Sequence, residues 1–478
     1  MSRATPLVVI DVVGLTPALL GTHTPNLNRL AANGFVTHLE GVFPALTTTA
    51  QATMLTGLAP AAHGIVGNGW YFRDTAEVRF WLQSNHLVGG EKVWETLRRA
   101  DATFRCAKLF WWYNMYASVD LSLTPRPIYP ADGRKLAALY SQPPTLHTQI
   151  ESALGPFPFF SFWGPQAGIR SSEWIAAAAA WLFEQQRPDL TLVYLPHLDY
   201  NLQRLGPDHP DIGHDVAAID AVAGELINTV RAAGAAVLVV SEYGITAVTD
   251  CIDINRILRA AGLLAVRETL GWELLDPGAS RAFAVADHQI AHVYVSDPAD
   301  CRQVADLLTT VPGIEHVLGR EAQAPLGIDH ARAGELIAIA ARDHWFSYYY
   351  WLNDRRAPDF ARTVDIHRKP GYDPVELFLD PAIRSPRLKI AWRLLKKRLG
   401  MRMLMDVIPL RPELVKGSHG RLADSPNDGP LLISSEAHRN TAPIGMRAVR
   451  DLILDHFGAL DLDSEAPPPS GRMQQHRQ

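Results

Sequence analysis

The chain has 478 residues, enough for one large α/β domain with an insertion or for two modest domains. A hydrophobic content of 47%, a charged content of 20% and a net charge of −5 describe an ordinary globular protein and give no electrostatic case for a nucleic-acid polymer as partner. Cys106, Cys251 and Cys301 are odd in number and far apart, which provides neither a disulfide framework nor a zinc-knuckle spacing and fits a reducing compartment.

In chain order, "PLVVIDVV" predicts a first core strand whose apolar run ends at Asp11, too short and too acidic at its end for a signal peptide. No run reaches the roughly 20 apolar residues that span a bilayer, and the expected location is the cytoplasm. "TPNLNRLAANG" predicts a helix with Leu27, Leu30 and Ala31 on one face and Gly34 at its end. "SSEWIAAAAAWLFEQQ" predicts a second helix capped by Ser171 or Ser172, followed by the strand "DLTLVYLP". "DIGHDVAAIDAVAGELINTVRAAG" predicts another helix, feeding the strand "AAVLVVSEYG". Strands separated by helices of this length imply an α/β fold with a mostly parallel sheet covered on both faces. From about residue 255 the units become shorter, as in "AHVYVSD" and "CRQVADLLTTV", which predicts a small α+β insertion. The polar, proline-rich "DSEAPPPSGRMQQHRQ" reads as a disordered tail.

Three predicted parallel strands deliver an acid near their C-terminal ends: Asp11, Asp199 and Glu242. Open α/β sheets bind ligands outside those ends. Any one of these acids alone reads as a helix cap or a surface carboxylate. Three converging on one crevice repel each other unless cations neutralise them, so the set points to metal ligation.

"VVIDVVG", "TPNLNRLAANG" and "VFPALTTTAQATMLTGLAPAAHGIVGN" together resemble the alkaline phosphatase superfamily, and most nearly its nucleotide pyrophosphatase/phosphodiesterase branch. The resemblance spans about residues 5 to 425. It implies an alkaline-phosphatase-like three-layer sandwich, with residues 1–254 and 360–462 as catalytic core, 255–359 as a cap insertion and 463–478 as the tail. It also implies that Asp11 is a metal ligand, that Thr47 in "FPALT" is a metal-bound nucleophile, and that Asn68 in "HGIVGN" contacts a phosphate oxygen. "YLPHLDYNLQRLGPD" falls on an Asp-x-x-Gly-His metal segment with Asp199 on its Asp, "SEYG" on an Asp-His-Gly step, and "KGSHG" supplies the late metal-binding His419.

Two positions depart from that pattern. Gln203 stands where the branch has a second histidine, and Glu242–Tyr243 replaces Asp-His. An oxygen-rich set of this kind suits Mn²⁺ or Mg²⁺ better than the zinc that the resemblance implies. His367, in the Pro-Gly turn "DIHRKPGYDP", is a candidate replacement ligand, and Tyr243 either takes an altered ligand position or donates a hydrogen bond to substrate. The implied activity is metal-dependent hydrolysis of a small-molecule phosphoric ester or anhydride, of phosphodiesterase or nucleotide pyrophosphatase type. It would use two divalent ions and a covalent phosphothreonine, with Asn68 and the Thr47 backbone N–H holding the non-bridging oxygens. The alternatives are a phosphomonoesterase or phosphonate hydrolase on the same fold, and a catalytically impaired relative that binds a phosphate ligand. Thr48 and Thr49 are rival nucleophiles. "TTTAQ" lacks the Pro and Arg of a sulfatase motif.

Trp70, close after Asn68, is expected at the leaving group, and Phe346, Tyr348 and Tyr350 in "WFSYYYWLND" share one face if that stretch is a strand. "RSPRLKIAWRLLKKRLGMR", residues 384–402, carries eight basic residues and no acid, with Leu388, Trp392, Leu395 and Leu399 at helical spacing. It reads as a basic amphipathic helix, either a solvated face over a packed stripe or a contact for an anionic membrane or polyanionic substrate.

Overall fold

The computed structural model describes residues 5–131, 134–437 and 442–460. The expected tail at 463–478 lies outside them. The chain runs through β1 (Leu7–Val12), α1 (Pro25–Asn33), β2 (Phe35–Glu40), α2 (Thr47–Thr56), β3 (Cys106–Leu109), β4 (Leu121–Pro125), β5 (Leu139–Gln142), α3 (Ile169–Gln186), β6 (Leu190–Leu195), α4 (His197–Leu205), α5 (Ile212–Ala232) and β7 (Ala236–Val240). It then builds a second sheet from β8 (Ala282–Asp287), β9 (Ile290–Val295), β10 (Ile314–Leu318) and β11 (Leu336–Ala340). After α6 (Pro386–Arg398) it returns to the first sheet with β12 (Leu431–Ser434) and β13 (Ile444–Gly445), and closes with α7 (Ala448–His456).

The large sheet has the order β13-β2-β12-β7-β1-β6-β3-β4-β5. Its centre, β7-β1-β6-β3, is parallel, and the returning β12 is antiparallel to β7 and β2. The alternation of side chains along β1 divides the hydrophobic interior in two. Val8, Ile10 and Val12 pack with Leu27, Ile175 and Ile219 of α1, α3 and α5, whereas Leu7 and Val9 pack with Met54 of α2, Trp94 and Ile453 of α7. Both faces of the sheet are therefore covered, giving the expected three-layer α/β architecture. The second sheet, β8-β9-β11-β10, is antiparallel throughout and has a separate core containing Val285, Val293 and Phe346.

Several local expectations are corrected. α3 begins at Ile169, before both serines, and Ser171 donates its hydroxyl to the Gly168 carbonyl from inside the first turn. Asp199 does not end a strand: β6 stops at Leu195, and the first turn of α4 carries the acid. In "WFSYYYWLND" only the first two residues, Trp345 and Phe346, belong to a strand, His344–Phe346. Tyr348, Tyr349, Tyr350 and Trp351 follow as irregular, fully buried chain in the second core, so they form no stacking wall for a ligand.

Gly34 does end α1, but for a reason other than a left-handed turn, since its φ is −137°. A Cβ there would lie 1.9 Å from the Ser434 carbonyl oxygen of β12, so the residue is fixed by backbone approaching backbone. Gly34→Ala is expected to lower stability by about 1–3 kcal/mol, measured by denaturant unfolding, with the site chemistry untouched.

Candidate active site

The register of the central strands sets Asp11 level with Tyr194 of β6 and Val240 of β7, so the segments after β6 and β7 leave the sheet beside it. Glu242 follows β7 by two residues, and Asp199 enters from α4. α2 starts at Thr47 and is buried along its whole length, so the positive end of its backbone dipole is held inside the protein next to these acids. His419 follows the short strand Gly417–Ser418, which pairs with Thr246–Ala247 just after Tyr243. An Ala45–Gly420 bridge joins that segment to the residues before Thr47. Sequence-distant parts of the chain are thereby stapled around one hydroxyl.

Asp11 and Glu242 are both fully buried. Gln51, one helical turn after Thr47, donates its amide to Glu242 Oε1 (2.6 Å) and to Asp11 Oδ2 (3.2 Å). The amide cannot turn over, because its Oε1 accepts the Trp112 N–H at 2.7 Å. Burial pushes Asp11 up to about 7, against the lowering effect of Glu242 and Gln51 beside it. Burial, followed by the Asp11 charge, pushes Glu242 well above the usual carboxylate range.

Asp199 is likewise raised to about 7 by burial, with Gln203 and Tyr243 opposing the shift. Gln203 Nε2 donates to Asp199 Oδ2 (2.7 Å), and Tyr372 donates to Gln203 Oε1 (3.0 Å), fixing that amide too. The Tyr243 phenol lies 2.9 Å from Thr47 Oγ1 and 3.4 Å from Asp199 Oδ1. Its ring stacks on His419 at 3.6 Å, and His288 lies on the other side, 3.7 Å from His419 and 3.6 Å from Tyr372.

Thr47, Asp199, Tyr243, His288 and His419 face a cavity of about 690 Å³. Neither rival hydroxyl faces the cavity: Thr48 donates to the Gly67 carbonyl, and Thr49 is sealed in the interior with its hydroxyl unpartnered. Asn68 stands beside the start of α2, accepting the Thr48 N–H on Oδ1 (3.1 Å) and giving its backbone N–H and Nδ2 to Asp287. Trp70 is turned away from the cavity wall. It is 2% exposed, stacks on Phe72 and lies under Arg332, so it does not take the leaving-group position expected of it. His367 lies on the cavity wall with Nδ1 3.4 Å from the Phe80 carbonyl. The loop that carries it reaches the acid cluster through Tyr372.

Whether cations suit the cluster is decided by its unpartnered atoms. Asp11 Oδ1 and Glu242 Oε2 are buried without a hydrogen-bond partner. His419 Nδ1 sits 2.8 Å from the Ala45 carbonyl, which can only accept, so the proton is on Nδ1 and a lone pair on Nε2. That lone pair faces Asp199 Oδ1 across 3.9 Å, too far for a hydrogen bond. Each pair offers two electron-pair donors, which fits a divalent ion. Among the described residues no three His, Cys, Asp or Glu side chains form a group able to hold a metal. The other donor-bearing side chains beside these atoms are the Thr47 hydroxyl, the Tyr243 phenol and Gln203, whose Oε1 already accepts from Tyr372. The set is oxygen-rich and suits hard ions.

Sequence reasoning missed Gln51, Asp287, His288 and Tyr372. Gln51 carried a usable signal, its i,i+4 spacing from Thr47 on one helix face. Asp287–His288 forms the tip of the β8–β9 hairpin, with His288 at φ 61° and its Nδ1 2.8 Å from Asp287 Oδ1. Only the fold shows that this tip enters the site.

This architecture is that of the alkaline phosphatase superfamily. The description "Type I phosphodiesterase / nucleotide pyrophosphatase" matches residues 7–373, and the chain belongs to that family. It is 29% identical over 215 residues to an uncharacterized pyrophosphatase/phosphodiesterase of Schizosaccharomyces pombe, covering 44% of this chain and 37% of that protein. It is 29% identical over 115 residues to the venom phosphodiesterase of Macrovipera lebetinus, covering 22% of this chain and 13% of that one. The chain thus spans well under half the length of these curated relatives. Among solved structures, phosphonoacetate hydrolase of Sinorhizobium meliloti with phosphonoformate superposes with a TM-score of 0.59 at 17% identity, over 96% of both chains. An inactive variant of murine ectonucleotide pyrophosphatase/phosphodiesterase 5 with AMP superposes at 0.58 and 14% identity, over 95% of both. Likenesses this distant establish the fold.

The raised carboxyls set a pH dependence for metal-stripped protein. An acid whose folded-state pKa is raised contributes stability below its unfolded value and loses it as pH rises through the folded value. For Asp11 and Asp199 that window runs from about 4 to about 7. The buried histidines, whose shifts are downward, add no slope above their ordinary value of 6.5. The Tm of chelator-treated protein is expected to fall as pH rises from 6.5 through about 7, where the window for Asp11 and Asp199 closes, and Asp11→Asn is expected to flatten the fall. Differential scanning calorimetry across that range checks both.

Proposed function

We propose that the protein hydrolyses small-molecule phosphoric esters or anhydrides, phosphodiesters or nucleotide pyrophosphates above all, with Thr47 Oγ1 as nucleophile. The observation that carries this reading is the setting of that one hydroxyl. It opens a buried helix, faces the cavity, lies within hydrogen-bond reach of Glu242 and stands 2.9 Å from the Tyr243 phenol. Membership of the phosphodiesterase/pyrophosphatase family supports the reaction class.

A phosphate entering the cavity meets the positive end of α2, where the Thr47 backbone N–H and the remaining Asn68 amide proton are available to its non-bridging oxygens. Tyr243 holds Oγ1 in one direction. The Oγ1–P bond forms as the bond to the leaving oxygen breaks, and the Thr47 proton passes to Glu242. Water then attacks phosphorus as the Oγ1–P bond breaks, one of its protons restores the Thr47 hydroxyl, and the phosphomonoester left from the diester or pyrophosphate departs. Divalent ions, Zn²⁺ by family resemblance or Mn²⁺ and Mg²⁺ by donor type, would be held by Asp11, Thr47, Glu242 and Tyr243 on one side and by Asp199, Gln203 and His419 on the other, and would supply charge neutralisation and a lowered hydroxyl pKa. In this reading His367 belongs to the cavity wall.

A second reading, a relative that binds phosphate ligands without turnover, is favoured by one feature. The Gln51 amide already spans Asp11 and Glu242, offering them hydrogen bonds where a cation would offer charge. A phosphomonoesterase or phosphonate hydrolase would use the same hydroxyl.

Turnover of bis(4-nitrophenyl) phosphate and 4-nitrophenyl phosphate with added Mn²⁺, Mg²⁺ or Zn²⁺ separates these readings. The proposal expects the diester to be preferred, and Thr47→Ala to lower kcat roughly a thousandfold or more with the fold intact by circular dichroism. Preference for the monoester would indicate the phosphomonoesterase. Equal rates for wild type and Thr47→Ala, or no turnover with any metal, would overturn the proposal.

A further inference from the structure

The 690 Å³ cavity is far larger than a phosphate requires, and its surface is mostly apolar. From the reactive end at Thr47 and Asp199 it continues past Trp81, Trp112, Phe162, Trp163 and Tyr200. Residues that line it while being half or more exposed mark its mouth: Phe160 at 72%, Tyr129 at 54% and Leu394 at 51%. Lys397, Arg126 and Lys135 stand there as well, all exposed.

Leu394 and Lys397 belong to α6, and Ile390 of the same helix also lines the cavity. The helix has no buried residue. Its remaining apolar side chains point elsewhere: Leu388 is 72% exposed, Trp392 55%, Leu395 45% and Leu399, just beyond its end, 66%. They sit among the eight basic residues of 384–402, a segment without an acid. Of those basic side chains, Lys389 and Arg393 are paired with Asp406. The packed stripe foreseen as one reading of the sequence is therefore absent. The helix exposes a basic, apolar outer surface and gives its inner edge to the mouth of a cavity that ends at the nucleophile. Exposed Leu and Trp among Lys and Arg are the elements that hold a helix in the interface of an anionic bilayer.

We infer that the site takes an amphiphile, a phosphate ester or diester carried on a long apolar chain, whose chain fills the cavity and which is drawn from an anionic membrane on which α6 lies. This rests on the proposed phosphoester chemistry for the role of Thr47, but the chain-binding claim is measured without turnover. Charge complementarity selects the membrane over a second copy of this chain, whose α6 would present the same basic surface.

Two measurements test it. Calorimetric titration with dodecyl phosphate, below its micellar concentration, and with ethyl phosphate should show the longer chain binding at least about tenfold tighter, since each buried methylene contributes up to about 0.8 kcal/mol. Equal affinities would overturn the inference. In flotation assays the protein should associate with vesicles of phosphatidylcholine and phosphatidylglycerol and much less with phosphatidylcholine alone, the association weakening in high salt. The Leu388→Glu/Leu395→Glu double variant, altered only on the outer face of α6, should lose flotation while keeping its wild-type rate on bis(4-nitrophenyl) phosphate. Absence of flotation, or light scattering showing an oligomer that this variant dissociates, would overturn the inference by assigning that face to solvent or to a second copy. Failure of ester turnover alongside intact chain binding and flotation would instead count against the hydrolase reading.

Discussion

Asp11, Asp199 and Glu242 are taken out of water around a single threonine oxygen, and each is pushed upward in pKa by that burial. Burying a carboxylate without compensation is costly, and adding a second and a third nearby compounds the cost through mutual repulsion. The protein offsets part of it with neutral donors. Gln51 serves Asp11 and Glu242, while Gln203 and Tyr243 serve Asp199. Those donors leave over an unpartnered oxygen on both Asp11 and Glu242 and a histidine lone pair facing Asp199.

The surrounding structure serves to hold this arrangement. Trp112 and Tyr372 each fix the direction of one glutamine amide, so that N–H rather than C=O faces the acids. Tyr372 is itself placed by a loop anchored on a buried ion cluster, in which Lys369 Nζ lies 2.7 Å from both Asp373 and Glu376. Glu376 also accepts the Trp163 indole N–H, tying that anchor to the cavity wall. A buried cluster of this kind is weak evidence for stability, yet it restricts the loop to one position. The second sheet contributes through its hairpin tip: Asp287 receives Asn68, and His288 closes the stack of rings over His419.

Much of this was legible in the sequence because the signals were local. Apolar runs separated by helical segments marked the parallel strands, and Thr47 was put forward by the family resemblance that the "FPALTTTAQ" block carries. The acids Asp11, Asp199 and Glu242, the substituted Gln203 and Tyr243, and His419 do come together. Other features depended on tertiary direction, which one-dimensional spacing does not carry. Trp70 follows Asn68 closely, but the short strand Gly69–Phe72 turns it into the interior. The run of tyrosines after Phe346 looked like a strand face because its composition suits one, whereas the chain there is irregular and serves the second core. In "DIHRKPGYDP" the histidine drew attention, while the tyrosine five residues later is the one bonded to Gln203. The amphipathic reading of 384–402 held for the helix itself, but only the fold could show that its outer face is uncovered and its inner edge borders the cavity. Among the described residues no helix is long and apolar enough to cross a membrane.

The central claim is that these carboxylates are gathered to hold positive charge against Thr47. Anomalous diffraction from crystals grown in millimolar Mn²⁺ tests it directly. The account predicts a peak bounded by Asp11 Oδ1, Glu242 Oε2 and the Thr47 hydroxyl. Density showing the Gln51 amide still bridging Asp11 and Glu242, with no anomalous signal there or between Asp199 and His419, would contradict it.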